Sequence, residues 1–133
     1  MRTLACLIVL AAASPAAFAE TPADFLAAYA QEAKLQNPAS RPPSAQQGQR
    51  FFTALHGQEW SCASCHTRNP AGPGKHTVTG KHIEPLAPSA NAARFTRQAK
   101  VEKWFKRNCN DVLGRACTAQ EKGDVLAYLL SLK

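Results

Sequence analysis

The chain has 133 residues, of which 45% are hydrophobic, 8% aromatic and 19% charged. That is enough for one globular domain and too little for two, and it excludes collagen-like and coiled-coil proteins. Sixteen Lys plus Arg against nine Asp plus Glu give a net charge of +7, which leaves nucleic acid, an anionic membrane and an acidic partner all open.

Met1-Arg2 supplies a positive start, Leu4 to Ala13 an apolar run, and Ala17-Phe18-Ala19 a small-x-small cleavage pattern before Glu20. This is the layout of a secretory signal peptide over residues 1–19, so the mature chain is expected to begin at Glu20 and to be exported to the periplasm. The apolar run is too short to span about 30 Å of hydrocarbon, and no later run is long enough either. Too little apolar chain precedes Cys6 for a lipoprotein. Export would place Cys62, Cys65, Cys109 and Cys117 in an oxidising compartment, where cysteines pair or hold a cofactor.

Thr21-Pro22-Ala23-Asp24 combines an N-cap, a proline at the first helical position and an acidic residue at the third. It predicts a helix that turns Phe25, Leu26 and Tyr29 inward and stops near Asn37-Pro38. Pro38 to Pro43 reads as a linker. Residues 20–43 are thus an N-terminal helix and Pro-rich linker, ahead of a domain over residues 44–133. Ser44-Ala45-Gln46-Gln47 predicts a second capping box and a helix through about Leu55, with Phe52 and Leu55 on its apolar side. Gly48 inside that helix costs about 1 kcal/mol against alanine, which points to another helix pressed close there.

Gly57 to Pro88 carries glycines and prolines without a sustained period and reads as loops. Helix returns at about Ala99. Val101, Trp104, Phe105 and Asn108 fall at i, i+3, i+4 and i+7, while Lys100, Lys103, Lys106 and Arg107 take the other side, giving an amphipathic helix with a basic outer face. Thr118-Ala119-Gln120-Glu121 is a third capping box, and Val125, Tyr128, Leu129 and Leu132 form the inward stripe of a last helix. There is no strand-length alternation and no repeat. Four short helices around long loops bury too little apolar surface for a sturdy core, so a further group is expected in the middle.

Cys62-Ala63-Ser64-Cys65-His66 is the C-x-x-C-H signature of covalent haem attachment. Two thiols one helical turn apart can form thioethers with the two vinyl groups of one porphyrin, and the adjacent imidazole reaches the iron from the same side. Two other readings compete. A thioredoxin-like redox pair lacks the strand before and the long helix after it. A zinc site of Cys62, Cys65, Cys109 and Cys117 has only one C-x-x-C, and export favours oxidation of the latter two. Haem c supplies the missing core. The expected fold is then all-α, a small class I-like cytochrome c fold with an extra N-terminal helix, in which Gly48 meets the Tyr128 region.

The only methionine is Met1, which leaves with the signal peptide, so no thioether completes a His/Met site. An open iron, a second histidine from His56, His76 or His82, or an unusual oxygen or nitrogen donor all remain. Asn108 lies on the apolar stripe, where an unpartnered amide costs about 1 to 3 kcal/mol. Most inward asparagines bond to backbone, so the residues alone leave its role open.

From Cys62 to Lys133 the chain carries Gly80-Lys81, Pro85-Leu86-Ala87-Pro88-Ser89, Arg94-Phe95-Thr96, Val101-Glu102-Lys103-Trp104, Arg107-Asn108-Cys109-Asn110 and Gly114-Arg115-Ala116-Cys117-Thr118. With these motifs it closely resembles the sphaeroides haem proteins, a group of monohaem, oxygen-binding cytochromes c. The similarity covers a little over half the chain. It implies that Cys62 and Cys65 attach the haem, that His66 is the proximal ligand and that Asn108 is the distal ligand of oxidised haem. It also implies a Cys109–Cys117 disulfide, which would hold Asn108 in place. In that family the asparagine leaves on reduction, so ferrous haem binds O2 or NO, and CO as a probe. A dihaem cytochrome c is the implied electron donor. The chain departs from the pattern at His82, which would block gas binding if it reached the iron.

Three functions follow for comparison. The first is a redox-gated cytochrome that accepts electrons and reversibly binds a diatomic gas. The second is a plain bis-histidine electron carrier, and the third a haem enzyme of peroxidase or NO dioxygenase type, which needs a distal acid/base residue. The basic face of Lys100, Lys103, Lys106 and Arg107 would suit an acidic partner. Nucleic acid is disfavoured for an exported haem protein whose aromatic residues read as core.

Overall fold

The computed structural model describes residues 20–57 and 59–133; the signal-peptide reading falls on residues 1–19, outside them. In chain order the elements are α1 (Pro22–Gln36), α2 (Ala45–Thr53), α3 (Cys62–His66), β1 (Gly74–Lys75), β2 (His82–Ile83), α4 (Gln98–Leu113) and α5 (Ala119–Ser131). The strands form a two-stranded antiparallel ladder with Gly74 opposite Ile83 and Lys75 opposite His82. This small hairpin and α3 lie in the stretch expected to be loop, where runs this short leave no period to read. No helix among the described residues is long and apolar enough to cross a membrane.

The helix ends follow local chemistry. Thr21 Oγ1 accepts from the Asp24 amide, and Asp24 Oδ2 accepts from the Thr21 amide at 2.8 Å, so α1 starts in a reciprocal box. Thr118 and Glu121 do the same for α5. The expected box at α2 forms only half. Ser44 Oγ accepts from the Gln47 amide, but the Ser44 amide donates to Asp124 Oδ1 at 2.8 Å, a partner 80 residues away. Asp124 is 4% exposed and also takes both arms of the Arg41 guanidinium, at 2.8 and 2.7 Å. A forked, charge-assisted pair of this kind is among the stronger polar contacts, and it ties the Pro-rich linker to α5.

Both α1 and α2 pack against α5. One cluster joins Phe25, Tyr29, Val101 and Leu126, with Leu26 partly buried against it. The other joins Phe52, Val125, Tyr128 and Leu129, with Leu132 alongside. Phe95 and Phe105 touch both clusters. Around the first, Tyr29 donates to Glu102 Oε1 at 2.6 Å, Lys122 donates to Glu102 Oε2 at 2.7 Å, and the Lys122 ammonium lies over the Tyr29 ring. That network joins α1, α4 and α5.

Two residues expected to be inward are not. Leu55 is 64% exposed because α2 ends at Thr53, where the chain leaves to form the His56–Trp60 bridge. Trp104 is 41% exposed and is turned outward beneath the Arg107 guanidinium, 5.7 Å from its ring centroid.

Gly48 sits where α2 crosses α5. A Cβ there would lie 1.9 Å from the Asp124 carbonyl oxygen and 2.9 Å from Tyr128 Cβ. Gly48→Ala therefore forces two backbones apart and is expected to cost about 2 kcal/mol or more, read as a lower thermal midpoint of the haem-loaded protein. A raised midpoint, as an open helical Gly→Ala change would give, contradicts this packing.

Candidate haem site

The segment around Cys62 is held as a single turn. The Ser61 amide donates to Ser64 Oγ at 3.0 Å and the Ser64 amide to the Ser61 carbonyl at 3.1 Å, which winds the following residues into the five-residue α3. Three-residue spacing then puts Cys62 and Cys65 on one side of that turn, both as free thiols. Burial pushes the Cys62 thiol up to about 11, so it rests protonated. Cys62 and Ala63 pack on the Phe52–Tyr128 cluster, and Phe52, 1% exposed, lies 6.3 Å from His66 ring to ring.

The chain then turns sharply away from the motif. Thr67 has φ 62 and ψ 169, a positive-φ conformation that costs a threonine about 1–3 kcal/mol and persists only where the surroundings fix it. It returns as β1, close enough that a Cβ on Gly74 would lie 2.3 Å from the Cys65 carbonyl oxygen. The Thr77 amide and hydroxyl both stand 3.5 Å from Cys65 Sγ, and the next residue, Val78, is exposed. Pro70 is fully buried. Its carbonyl accepts from the amides of Leu86 at 2.8 Å and Ala87 at 3.1 Å, drawing the Pro85–Ser89 segment in.

His66 differs from the other histidines. Burial, and then the Arg94 guanidinium and the neighbouring His76, push it down to about 4, so its imidazole is neutral at pH 7 and has a lone pair for a metal. Among the described residues it is the histidine whose ring nitrogens make no hydrogen bond. His56 Nε2 donates to the Phe51 carbonyl at 2.8 Å, satisfying one of the last carbonyls of α2. His76 Nδ1 accepts from the amides of Val78 and Thr79, which leaves the proton on its Nε2. His82 is exposed on β2, with Nε2 3.0 Å from Glu84 Oε1.

Asn108 is half-buried on α4, and its side chain makes no hydrogen bond to the described residues. Cys109 and Cys117 form a disulfide with Cα atoms 5.6 Å apart, joining the last turn of α4 to the start of α5 across Gly114, whose φ of 67 ends α4 in a left-handed cap. With these two sulfurs joined, no group of three or more His, Cys, Asp or Glu among the described residues could hold a metal ion. The four-cysteine zinc reading is overturned on that ground. Sequence reasoning gave no role to Arg94, Pro70 or Thr67. A lone arginine in a loop and a proline among nine carry no local pattern.

The donor set fits haem c. It offers two free thiols on one turn, an imidazole kept neutral, and an apolar cluster against Cys62. Comparison with known proteins agrees. The model of a family described as a domain of unknown function (DUF1924) matches residues 38–129. Cytochrome c'' of Methylophilus methylotrophus is 48% identical over 77% of this chain and 74% of its own. The cytochrome c-type protein SHP of Cereibacter sphaeroides is 43% identical over 88% of this chain and 89% of its own. The crystal structure of oxidised cytochrome c'' matches with a TM-score of 0.77 and 44% identity, over 84% of this chain and 94% of that one. The structure of oxidised SHP, described as an oxygen binding cytochrome c, matches at 0.74 and 41%, over 84% and 97%. A solution structure of cytochrome c'', described as giving insights into haem-ligand detachment, matches at 0.74 and 45%, over 83% and 92%.

The Cys109–Cys117 cross-link closes a short loop. Replacing both cysteines by serine is expected to lower stability by about 2.5 kcal/mol, measured by denaturant unfolding of the haem-loaded protein. An unchanged midpoint would mean that the helix ends hold without it.

Proposed function

From the premise that the chain belongs to the family of monohaem c-type cytochromes that includes cytochrome c'' and SHP, with covalently bound haem c as its cofactor, we propose a redox-gated gas site. In this reading the protein is exported to the periplasm, accepts electrons, and on reduction releases its distal ligand Asn108 so that O2 or NO can bind. The leader-like residues 1–19 support export. The domain over residues 44–133 carries the haem, and residues 20–43 brace it from outside.

One observation carries the proposal. The only methionine is Met1, and His56, His76 and His82 each have a ring nitrogen engaged elsewhere, whereas the Asn108 amide is half-buried beside a disulfide and unpartnered among the described residues. Cys62 and Cys65 would form the two thioethers and His66 would bind the iron. Haem supplies an iron whose preference between hard and soft donors changes with one electron. The Asn108 carbonyl oxygen is a hard, weak donor that suits the oxidised state, and adding an electron loosens it. The descriptions of SHP as oxygen binding and of haem-ligand detachment in cytochrome c'' support the same reading here.

The electron donor is proposed to be a dihaem cytochrome c. Lys100, Lys103, Lys106 and Arg107 stand exposed along one side of α4 and would steer an acidic surface toward it.

Asn108→Ala tests the distal assignment. The oxidised visible spectrum is expected to change from six-coordinate low-spin to high-spin. A spectrum that stays six-coordinate and unchanged would remove Asn108 from the iron and favour a histidine, which is the electron-carrier reading.

A further inference from the structure

The N-terminal segment grips α4 at successive points. Glu20 Oε2 accepts from the Gln98 amide at 2.6 Å, at a helix start whose N-cap residue, Arg97, makes no side-chain cap. One turn on, Glu102 uses both carboxylate oxygens, Oε1 accepting from the Tyr29 hydroxyl at 2.6 Å and Oε2 from the Lys122 ammonium at 2.7 Å. The Tyr29 ring meets Phe105 edge-on, with centroids 5.8 Å apart, and shares a cluster with Val101. Tyr29 is buried, so its hydroxyl needs a protein partner, and among the described residues Glu102 supplies it.

These contacts fix the rotation of α4 about its own axis. Val101, Phe105 and Asn108 fall at i, i+4 and i+7, so the residues that meet Tyr29 and the amide proposed for the iron lie along one helical stripe. A helix turns as a hydrogen-bonded unit, and a rotation at Glu102 carries Asn108 round with it. The far end of α4 is fixed separately, by the Cys109–Cys117 cross-link to the start of α5. Between these two fastenings, the Tyr29–Glu102 bond sets how the stripe faces.

We propose that Tyr29 and Glu102 are positioning residues for the distal site, and that their hydrogen bond, backed by Lys122, sets how strongly Asn108 competes for the oxidised iron. The inference rests on the reading that Asn108 is the distal ligand. It gives α1 a part in ligand choice, because the helix that packs on α5 also reaches across to α4. Breaking the bond weakens the hold of Asn108 on the oxidised protein and leaves the reduced protein, from which Asn108 has already departed, as it was.

The test uses the haem-loaded wild type, Tyr29→Phe, Glu102→Gln and Asn108→Ala, each titrated with cyanide when oxidised and with CO when reduced. Cyanide has to displace Asn108, whereas CO does not compete with it. Tyr29→Phe keeps the ring and loses the hydroxyl, and is expected to tighten cyanide binding about fivefold with CO affinity unchanged. Glu102→Gln is expected to do the same. Deuterium exchange of the amides of residues 98–108, followed by mass spectrometry, is expected to quicken in both variants, a readout independent of the iron. Wild-type cyanide affinity in Tyr29→Phe, or in Glu102→Gln should Tyr29→Phe not fold, overturns the inference. A CO affinity that moves by the same factor, or unchanged exchange in both variants, overturns it as well. If Asn108→Ala binds cyanide no more tightly than the wild type, the distal assignment itself fails, and with it the inference that rests on it.

Discussion

The last helix is the frame on which the rest hangs, and α2 reaches it at a point where only glycine fits. At Gly48 the Asp124 carbonyl and Tyr128 Cβ occupy the space a side chain would take. That approach sets Phe52 against Tyr128, with ring centroids 5.5 Å apart, and against His66 on its other side. The same stretch of α5 presents Asp124 to Arg41 and to the Ser44 amide, so the crossing, the start of α2 and the preceding linker are fixed together. Cys62 and Ala63 of α3 pack on the cluster this crossing creates. A shift at Gly48 would move the His66 imidazole, which stands against Phe52, with it.

The proposed ligand arrangement follows from how each candidate donor is already occupied. A histidine that caps a helix carbonyl, as His56 does, or accepts two backbone amides, as His76 does, must give up those bonds before it can serve an iron. Each such bond contributes roughly 0.5–1.5 kcal/mol. His66 has none to give up and is kept neutral by burial. The histidines therefore divide into one free for a metal and three engaged in local structure. Asn108, next to the cross-linked Cys109, is half-buried and without a side-chain hydrogen bond to the described residues, which is why it is the donor proposed.

Much of this was legible in the sequence because it is local. The capping boxes at Thr21 and Thr118 lie within four residues and form as read. Gly48 was legible because a glycine inside a helix needs a reason, and the C-x-x-C-H spacing has few physical meanings. What stayed hidden depends on partners far along the chain. Half of the box at Ser44 yields to Asp124, and helical period alone could not show that α2 ends before Leu55 or that Trp104 turns out beneath Arg107. Thr67 and Pro70 acquire meaning only when β1 is folded back on the end of α3 and the Pro85–Ser89 segment is drawn onto the Pro70 carbonyl. Loops of that kind carry no period from which to place them.

The central claim is that one electron removes a weak oxygen ligand and opens a gas site. The most direct measurement is the visible spectrum of the purified haem-loaded protein, first oxidised and then reduced, with and without CO. The account predicts low-spin oxidised haem that becomes high-spin on reduction and then binds CO. A reduced state that stays low-spin and is unchanged by CO would contradict it, because only a strong sixth ligand that survives reduction could hold the iron in that form.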